Sequence, residues 1–187
     1  MIASVVVAAI AVLVLAYGIV LYNRLVRSRQ MAAEGWSGID VQLKRRGDLV
    51  PNLVEAVRGY AAHERATLEE VTELRNRARA TPPDDVAGRA HVEGLLSGAI
   101  GRLLAVVENY PELKASHNFL QLQASLAGVE DEIQMARRYY NGATRDLNIL
   151  VESFPSNLVA GLCGFSKRAF FETDEASRAV PEVSFRS

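Results

Sequence analysis

Histidine, cysteine and carboxylate residues are the side chains of this chain that could do chemistry, and their spacing does not fit a known reaction. His63-Glu64 would begin a helical zinc-protease motif, but that motif needs a second histidine at position 67, which is Thr. His91 and His117 have no second ligand at metal-binding spacing. The single cysteine, Cys163, is expected to be a small buried residue, the alternative being an intermolecular disulfide or reactive thiol. We predict no metal and no cofactor.

Other nucleophile and phosphate motifs are also missing from the sequence. It contains no Gly-x-Ser-x-Gly elbow and no glycine-rich phosphate loop. We therefore expect no catalytic residue and no enzymatic activity. The 21 basic and 22 acidic side chains nearly balance, which argues against nucleic-acid binding through bulk positive charge.

Charged residues occur on a helical face that should pack. Asp40, Arg46 and Asp48 lie close together in the sequence, and charges on such a face must be paired or solvated. We expect an interhelical salt-bridge network that fixes the register of the helices, with Glu130 among the candidate partners. The alternative is a binding site at one end of the bundle, formed by Asp40, Arg46, Asp48, His63 and Glu64.

The N-terminal stretch predicts a membrane anchor. Residues 2–22 are apolar apart from Ser4 and Gly18, and as a helix they would span about 31 Å, close to the thickness of a bilayer core. A cleaved signal peptide would have basic residues before the apolar run and a small-residue cleavage site. Here the first charged residue is Arg24, so we favour an uncleaved transmembrane helix.

Basic residues after the apolar run predict its orientation. Arg24, Arg27 and Arg29 follow it directly, and positive residues flanking a transmembrane helix tend to remain in the cytoplasm. We expect the N-terminus outside and the following domain in the cytoplasm.

Apolar residues at helical spacing recur through the rest of the chain, without strand-like alternation. A narrow, near-heptad seam of coiled-coil type predicts a helix from about Glu112 to about Glu152. Other runs predict helices over 92–110 and 53–78. The seam consists of Phe119, Leu122, Leu126, Val129, Ile133, Ala136, Tyr140, Ala143, Leu147 and Leu150.

Prolines and loop signals divide these helices. We expect the helix that leaves the membrane to reach about Asp48 and then to kink or break near Pro51. Residues 81–85 should form a loop in which Asp84 or Asp85 caps the next helix. Residues 109–111 should form a tight connection between two helices, the alternative being a kink in one longer helix, and residues 154–157 are a further stop. Residues 158–171 would either pack on the bundle, which we favour, or lie at the membrane.

Seven stretches together resemble the LemA family of bacterial membrane proteins. The resemblance runs from about Tyr22 to about Phe171. The stretches are 22–26, 36–46, 48–54, 59–64, 108–115, 136–141 and 154–157.

The resemblance implies an N-terminal anchor, an N-out topology and a cytoplasmic antiparallel helical bundle, but no known reaction. A relative among magnetosome proteins suggests a role in membrane organisation. The sequence departs from the family pattern at Gly47, where a bulkier residue is usual. A glycine there would loosen the helix and puts its continuity in doubt.

The prediction is an all-α protein with a transmembrane helix that continues into an elongated antiparallel bundle of three or four long helices. Residues 1–22 would be the anchor, 23–171 the bundle and 172–187 a disordered tail. We expect a membrane scaffold or adaptor that contacts the bilayer and self-associates or docks other membrane proteins. The alternative is a ligand-sensing or signalling module.

Overall fold

The computed structural model describes residues 1–61 and 63–172, and within these ranges every regular element is a helix. The all-α prediction is therefore confirmed. The tail predicted for 172–187 lies, apart from Glu172, outside the described residues. The helices are α1 (Ile2–Arg58), α2 (Arg65–Ala80), α3 (Val86–Val107), α4 (Pro111–Lys114), α5 (His117–Glu152) and α6 (Ser156–Leu162).

The chain forms two compact units, which we call the anchor unit and the distal unit. The anchor unit comprises Met1–Val41 and Ile133–Phe170. The distal unit comprises Gln42–Glu132 together with the described residues from Phe171 onward. Helices α1 and α5 each contribute residues to both units.

Residues 2–20 of α1 are not packed against the rest of their unit. All of them are exposed except the half-buried Gly18, and their large side chains are apolar. Helix α1 is therefore long and apolar enough over this stretch to cross a membrane. Burial begins at Leu21 and Leu25, directly after the apolar run. The helix continues through Asn23 and Arg24, so no flexible linker separates the apolar segment from the packed part of the anchor unit.

The expected break near Pro51 does not occur, because α1 continues to Arg58 with Pro51 inside it. A proline has no N–H and leaves the carbonyl four residues earlier without its helical partner. Here that carbonyl belongs to Gly47, and it accepts a hydrogen bond from Arg75 Nε of α2 at 2.6 Å. The Arg75 side chain of α2 thus supplies the hydrogen bond that Pro51 cannot donate to the Gly47 carbonyl. Gly47 does not interrupt the helix either.

The single helix expected over 53–78 is also wrong. Helix α1 ends at Arg58, Gly59 follows it, and α2 begins only at Arg65. Glycine after a last helical residue is typical of a helix end. The apolar residues on both sides of the break are buried in the same core, so the spacing correctly predicted which residues pack although the helix is interrupted. They are Leu53 and Val57 before the break, and Leu68 and Val71 after it.

The loop expected over 81–85 is confirmed. Asp85 caps α3, since its side chain accepts a hydrogen bond from the Gly88 N–H at 2.9 Å. Helices α2 and α3 pack against each other across this short connection. Helix α3 is also apolar enough to cross a membrane, but 44% of its apolar window is buried and it carries the buried charges Arg89 and Glu93. We therefore assign α3 to the core of the distal unit.

The seam predicted for α5 is confirmed as its packing face. None of its ten members is exposed, and seven are fully buried. The predicted C-terminal end at Glu152 is correct, whereas the predicted start is not: α4 ends at Lys114 and α5 begins at His117. Tyr110-Pro111 separates α3 from α4, as expected, with proline in the first turn of the new helix.

Helix α6 packs within the anchor unit, which confirms the favoured alternative for this segment. Ala160 of α6 and Phe165 beyond it form one apolar cluster with Leu25 of α1 and Leu147 of α5. The expectation that Cys163 is buried is wrong, because it lies exposed just after the end of α6.

Side-chain hydrogen bonds fasten the segment after α6 onto α5. The Asn148 side chain donates to the Arg168 carbonyl at 3.0 Å and accepts from the Arg168 N–H at 2.9 Å. The Tyr140 hydroxyl donates to the Ala169 carbonyl at 2.8 Å. These bonds hold residues 165–170 in a defined position although they form no helix.

Candidate functional site

A buried cluster of charged side chains in the distal unit is centred on Arg46. Arg46 of α1 is only 3% exposed, as is Glu93 of α3, and their side chains form an ion pair at 2.6 Å. Arg46 forms a second ion pair, at 2.8 Å, with Glu130 of α5. One guanidinium therefore links three helices.

Arg89 extends this cluster along α3. Its Nε donates to Glu93 Oε1 at 3.0 Å, from the preceding turn of the same helix. The buried Glu93 carboxylate thus accepts from an arginine on each of its oxygens, since Arg46 occupies Oε2. With Glu130, the cluster holds two positive and two negative side chains, so its formal charge is zero.

The hydrogen bonds of Arg46 are nearly complete. The two Nη atoms donate to the carboxylates of Glu93 and Glu130, to the Ser97 hydroxyl and to the Glu93 carbonyl, the last at 3.1 Å. An arginine has five N–H donors, and only Nε is buried without a partner among the residues described. A guanidinium bound in this way has little capacity left for an anionic ligand, so the cluster is suited to fixing helix register.

The other predicted site residues do not join Arg46. Asp48 and His63 are exposed, and Glu64 is half-buried at the N-cap of α2, where its side chain makes no capping hydrogen bond. Arg46 and the end of α1 at Arg58 are separated by about 18 Å of helix, and His63 lies beyond that end. The proposed single pocket containing Arg46 and His63 is therefore not formed. Asp40 is half-buried in the anchor unit.

Sequence reasoning named Glu130 as a partner and missed Glu93. A signal for Glu93 was present, because Arg89, Glu93 and Ser97 recur every four residues in a largely apolar helix. Residues at this spacing share one helical face. A polar stripe inside an apolar helix requires a charged partner on a neighbouring helix, which here is Arg46.

Two open clefts also lie in the distal unit. One, of about 530 Å³, is lined largely by neutral polar side chains. They are those of Asn52, Tyr60, Ser116, Asn118, Gln121 and Ser125. The other, of about 710 Å³, is lined by Arg58, Arg65, Glu69 and Glu73 among others. In the described part of the chain, no group of three or more His, Cys, Asp or Glu residues is placed to hold a metal ion.

Comparison with known proteins identifies the family. The LemA family profile matches residues 35–185, which is most of the chain. The chain belongs to the LemA family. The family match begins after the apolar segment, so the anchor is supported by the sequence and structure of this chain and not by that match.

Individual LemA relatives are distant but match over most of this chain. Magnetosome protein MamQ 2 of Paramagnetospirillum magneticum is 27% identical, and the match covers 83% of this chain and 66% of that protein. Magnetosome protein MamQ of Magnetospirillum gryphiswaldense is 25% identical with the same coverage. Protein LemA of Metamycoplasma hominis is 27% identical over 87% of this chain and 74% of its own length. The chain thus spans just under two thirds of the MamQ proteins.

Proposed function

We propose that this LemA protein is a single-pass membrane scaffold or adaptor, with the N-terminus outside and the helical domain in the cytoplasm at a bacterial inner membrane. It self-associates or holds other membrane proteins, binds no nucleic acid and catalyses no reaction. The observation that carries the proposal is the continuity of α1 from the apolar segment into the packed anchor unit. Its LemA and magnetosome-protein relatives support the membrane association.

The unbroken α1 matters because it removes the freedom of movement relative to the membrane that an enzyme on a flexible tether would have. Tyr22, Asn23 and Arg24 are helical, and Leu25 is already fully buried against α5 and α6. The anchor unit is therefore fixed to its own membrane segment without a flexible hinge. A rigid connection of this kind adds little to the turnover of a diffusing substrate. It does present the surface of the anchor unit to neighbouring membrane proteins in a constant orientation.

The proposed orientation rests on Arg24, Arg27 and Arg29, which follow an apolar segment without a charged side chain. It can be tested with a membrane-impermeant maleimide on intact cells that produce Cys163→Ser protein. A cysteine in a short hydrophilic tag added before Met1 should react without lysis, and one at the exposed Asp84 should react only after lysis. The opposite pattern would reverse the orientation and exclude a cytoplasmic scaffold.

The scaffold role is tested by crosslinking in native membranes followed by pull-down, and by light scattering of the detergent-solubilised full chain. We expect either a homo-oligomer or specific membrane-protein partners. A fusion of residues 1–29 to an unrelated soluble protein is the matched control, because it retains the anchor and lacks the helical body. A strict monomer that captures nothing beyond this control would contradict the proposal.

A ligand-sensing module is the second candidate, and the 530 Å³ cleft favours it because neutral amide and hydroxyl groups converge there. In this case Asn52→Ala and Gln121→Ala should abolish complementation of a deletion strain, while the exposed Asp48→Ala should not. If both cleft variants fold and complement fully, this candidate is excluded and the scaffold proposal is unaffected.

A further inference from the structure

We propose that the turn between α5 and α6 and the outer face of α6 lie in the interfacial layer of the bilayer that holds the anchor. Phe154, Leu158 and Leu162 would be the lipid contacts. The proposal rests on the membrane anchoring proposed above and adds a second membrane-binding element, distant from the first in sequence.

The register of α1 against α5 brings this turn to the level of the membrane segment. Trp36 contacts Tyr140, with ring centroids 5.6 Å apart, and Leu25 shares a cluster with Leu147. The two helices therefore run antiparallel, and α5 advances toward the anchor as its residue numbers rise. From Leu147 to its end at Glu152, α5 extends about 7.5 Å further, which reaches the last turn of the apolar segment, near Leu21.

Contacts on the inner side fix the orientation of α6. Ser156 and Ala160 are buried, and Phe165 meets the ring of Tyr22 edge-on, with centroids 5.8 Å apart. Tyr22 is the last residue of the apolar run. Helix α6 is thus held beside the point at which α1 would leave the bilayer.

The outer side of the same segment is apolar and uncovered. Leu158 and Leu162 are 58% and 89% exposed and lie one helical turn apart, so they share a face. Phe154, in the preceding turn, is 79% exposed. Three large apolar side chains with this exposure, beside a membrane segment, fit a surface that meets lipid better than one that meets water.

Charge selects the bilayer over a second copy of the chain as the occupant. No acidic residue occurs before Glu34 or from Ser153 to Phe171, and Lys167 is paired with Glu152 at the end of α5. Four further basic residues in these stretches give a net positive charge, which suits anionic headgroups, whereas an identical surface on a second copy would repel it. They are Arg24, Arg27, Arg29 and Arg168.

The test measures depth with a nitroxide on the full chain in nanodiscs of phosphatidylethanolamine and phosphatidylglycerol. The label is placed at Leu162→Cys in the Cys163→Ser background. Collision with lipid-soluble oxygen should exceed collision with a water-soluble nickel chelate, and the oxygen-to-nickel ratio should be several-fold higher than at Leu120→Cys, an exposed leucine of the distal unit. The same label on native Cys163, which needs no substitution, should show an intermediate ratio.

Two results would overturn the proposal. A ratio at Leu162 equal to that at Leu120 would place α6 in water, and protection from both reagents would mean that protein covers it. A label at Val14→Cys distinguishes these failures from failure of the anchor. If Val14 is lipid-exposed and Leu162 is not, only the interfacial proposal fails, whereas a water-exposed Val14 would contradict membrane anchoring itself.

Discussion

The anchor unit and the distal unit fix the register of their packed helices by different means. In both, long helices pack through apolar seams, and such seams alone leave neighbouring register positions close in energy. The distal unit sets its register with buried charge, through the pairs of Arg46 with Glu93 and Glu130. The anchor unit uses shape: Trp36 packs on Tyr140, and Gly35 faces the Tyr140 backbone. Substitutions should therefore fail for electrostatic reasons in one unit and for steric reasons in the other.

The largest expected effect is in the distal unit. Arg46→Met removes the positive partner of Glu93 and leaves a carboxylate buried without its full compensation, which should cost about 3–5 kcal/mol of the free energy of unfolding. Thermal and urea denaturation of the detergent-solubilised protein, followed by circular dichroism, measures this. The neighbouring Arg45 is exposed, so Arg45→Met is the control and should change little.

A second substitution shows whether charge is the cause. Arg46→Met combined with Glu93→Gln should be more stable than Arg46→Met alone, because glutamine is neutral and can still accept a hydrogen bond from Arg89. If the double variant is as unstable as the sum of the single ones, lost packing would explain the effect, and the contrast between the two units would disappear.

The steric side of the comparison is tested by two glycines of α1. A Cβ at Gly35 would lie 2.9 Å from the Tyr140 Cα and 3.0 Å from the Tyr139 ring, so Gly35→Ala should destabilise by about 1–3 kcal/mol. Gly38 is exposed, and a Cβ added there would have nothing within 4 Å, so Gly38→Ala should stabilise the helix by up to about 1 kcal/mol. Equal melting shifts for the two variants would show that the close approach does not constrain the anchor unit.

Arg75 tests how α1 passes through Pro51. In Arg75→Met the Gly47 carbonyl loses its donor, and we expect a loss of about 1–3 kcal/mol. Arg77→Met, at an exposed position of the same helix, should be close to neutral. Hydrogen exchange should also rise around Gly47 in the Arg75 variant. Unchanged exchange there would mean that the helix needs no external donor.

The smallest effect is expected at Tyr140 of the anchor unit. Tyr140→Phe keeps the ring that packs on Trp36 and removes only the hydroxyl that donates to the Ala169 carbonyl, which should cost about 1 kcal/mol. Tyr139→Phe is the control, since Tyr139 is 46% exposed. A loss well above that of one hydrogen bond would indicate that the segment after α6 detaches as a whole.

Local rules were sufficient for much of the fold. The apolar run at the N-terminus, the α5 seam and the Thr81–Asp85 loop were predicted because each depends on residues close together in sequence. Arg46 and Glu130 were identified as members of a polar network for a similar reason, since charges on an apolar face require partners. The spacing of Arg89, Glu93 and Ser97 marked a polar stripe on α3, but Glu93 was missed because one sequence does not reveal that this stripe meets Arg46 of α1.

The sequence by itself thus determined the helical class, the apolar segment and the inward-facing seam of α5. Only the tertiary structure decided that α1 continues through Pro51, because the donor to Gly47 comes from another helix. It also decided that α6 packs inward through Ala160 while Leu162 and Cys163 remain exposed. The spacing of apolar residues predicts which helical face is apolar. It does not predict what covers that face, which is a distant part of the chain or, as we propose for α6, the membrane.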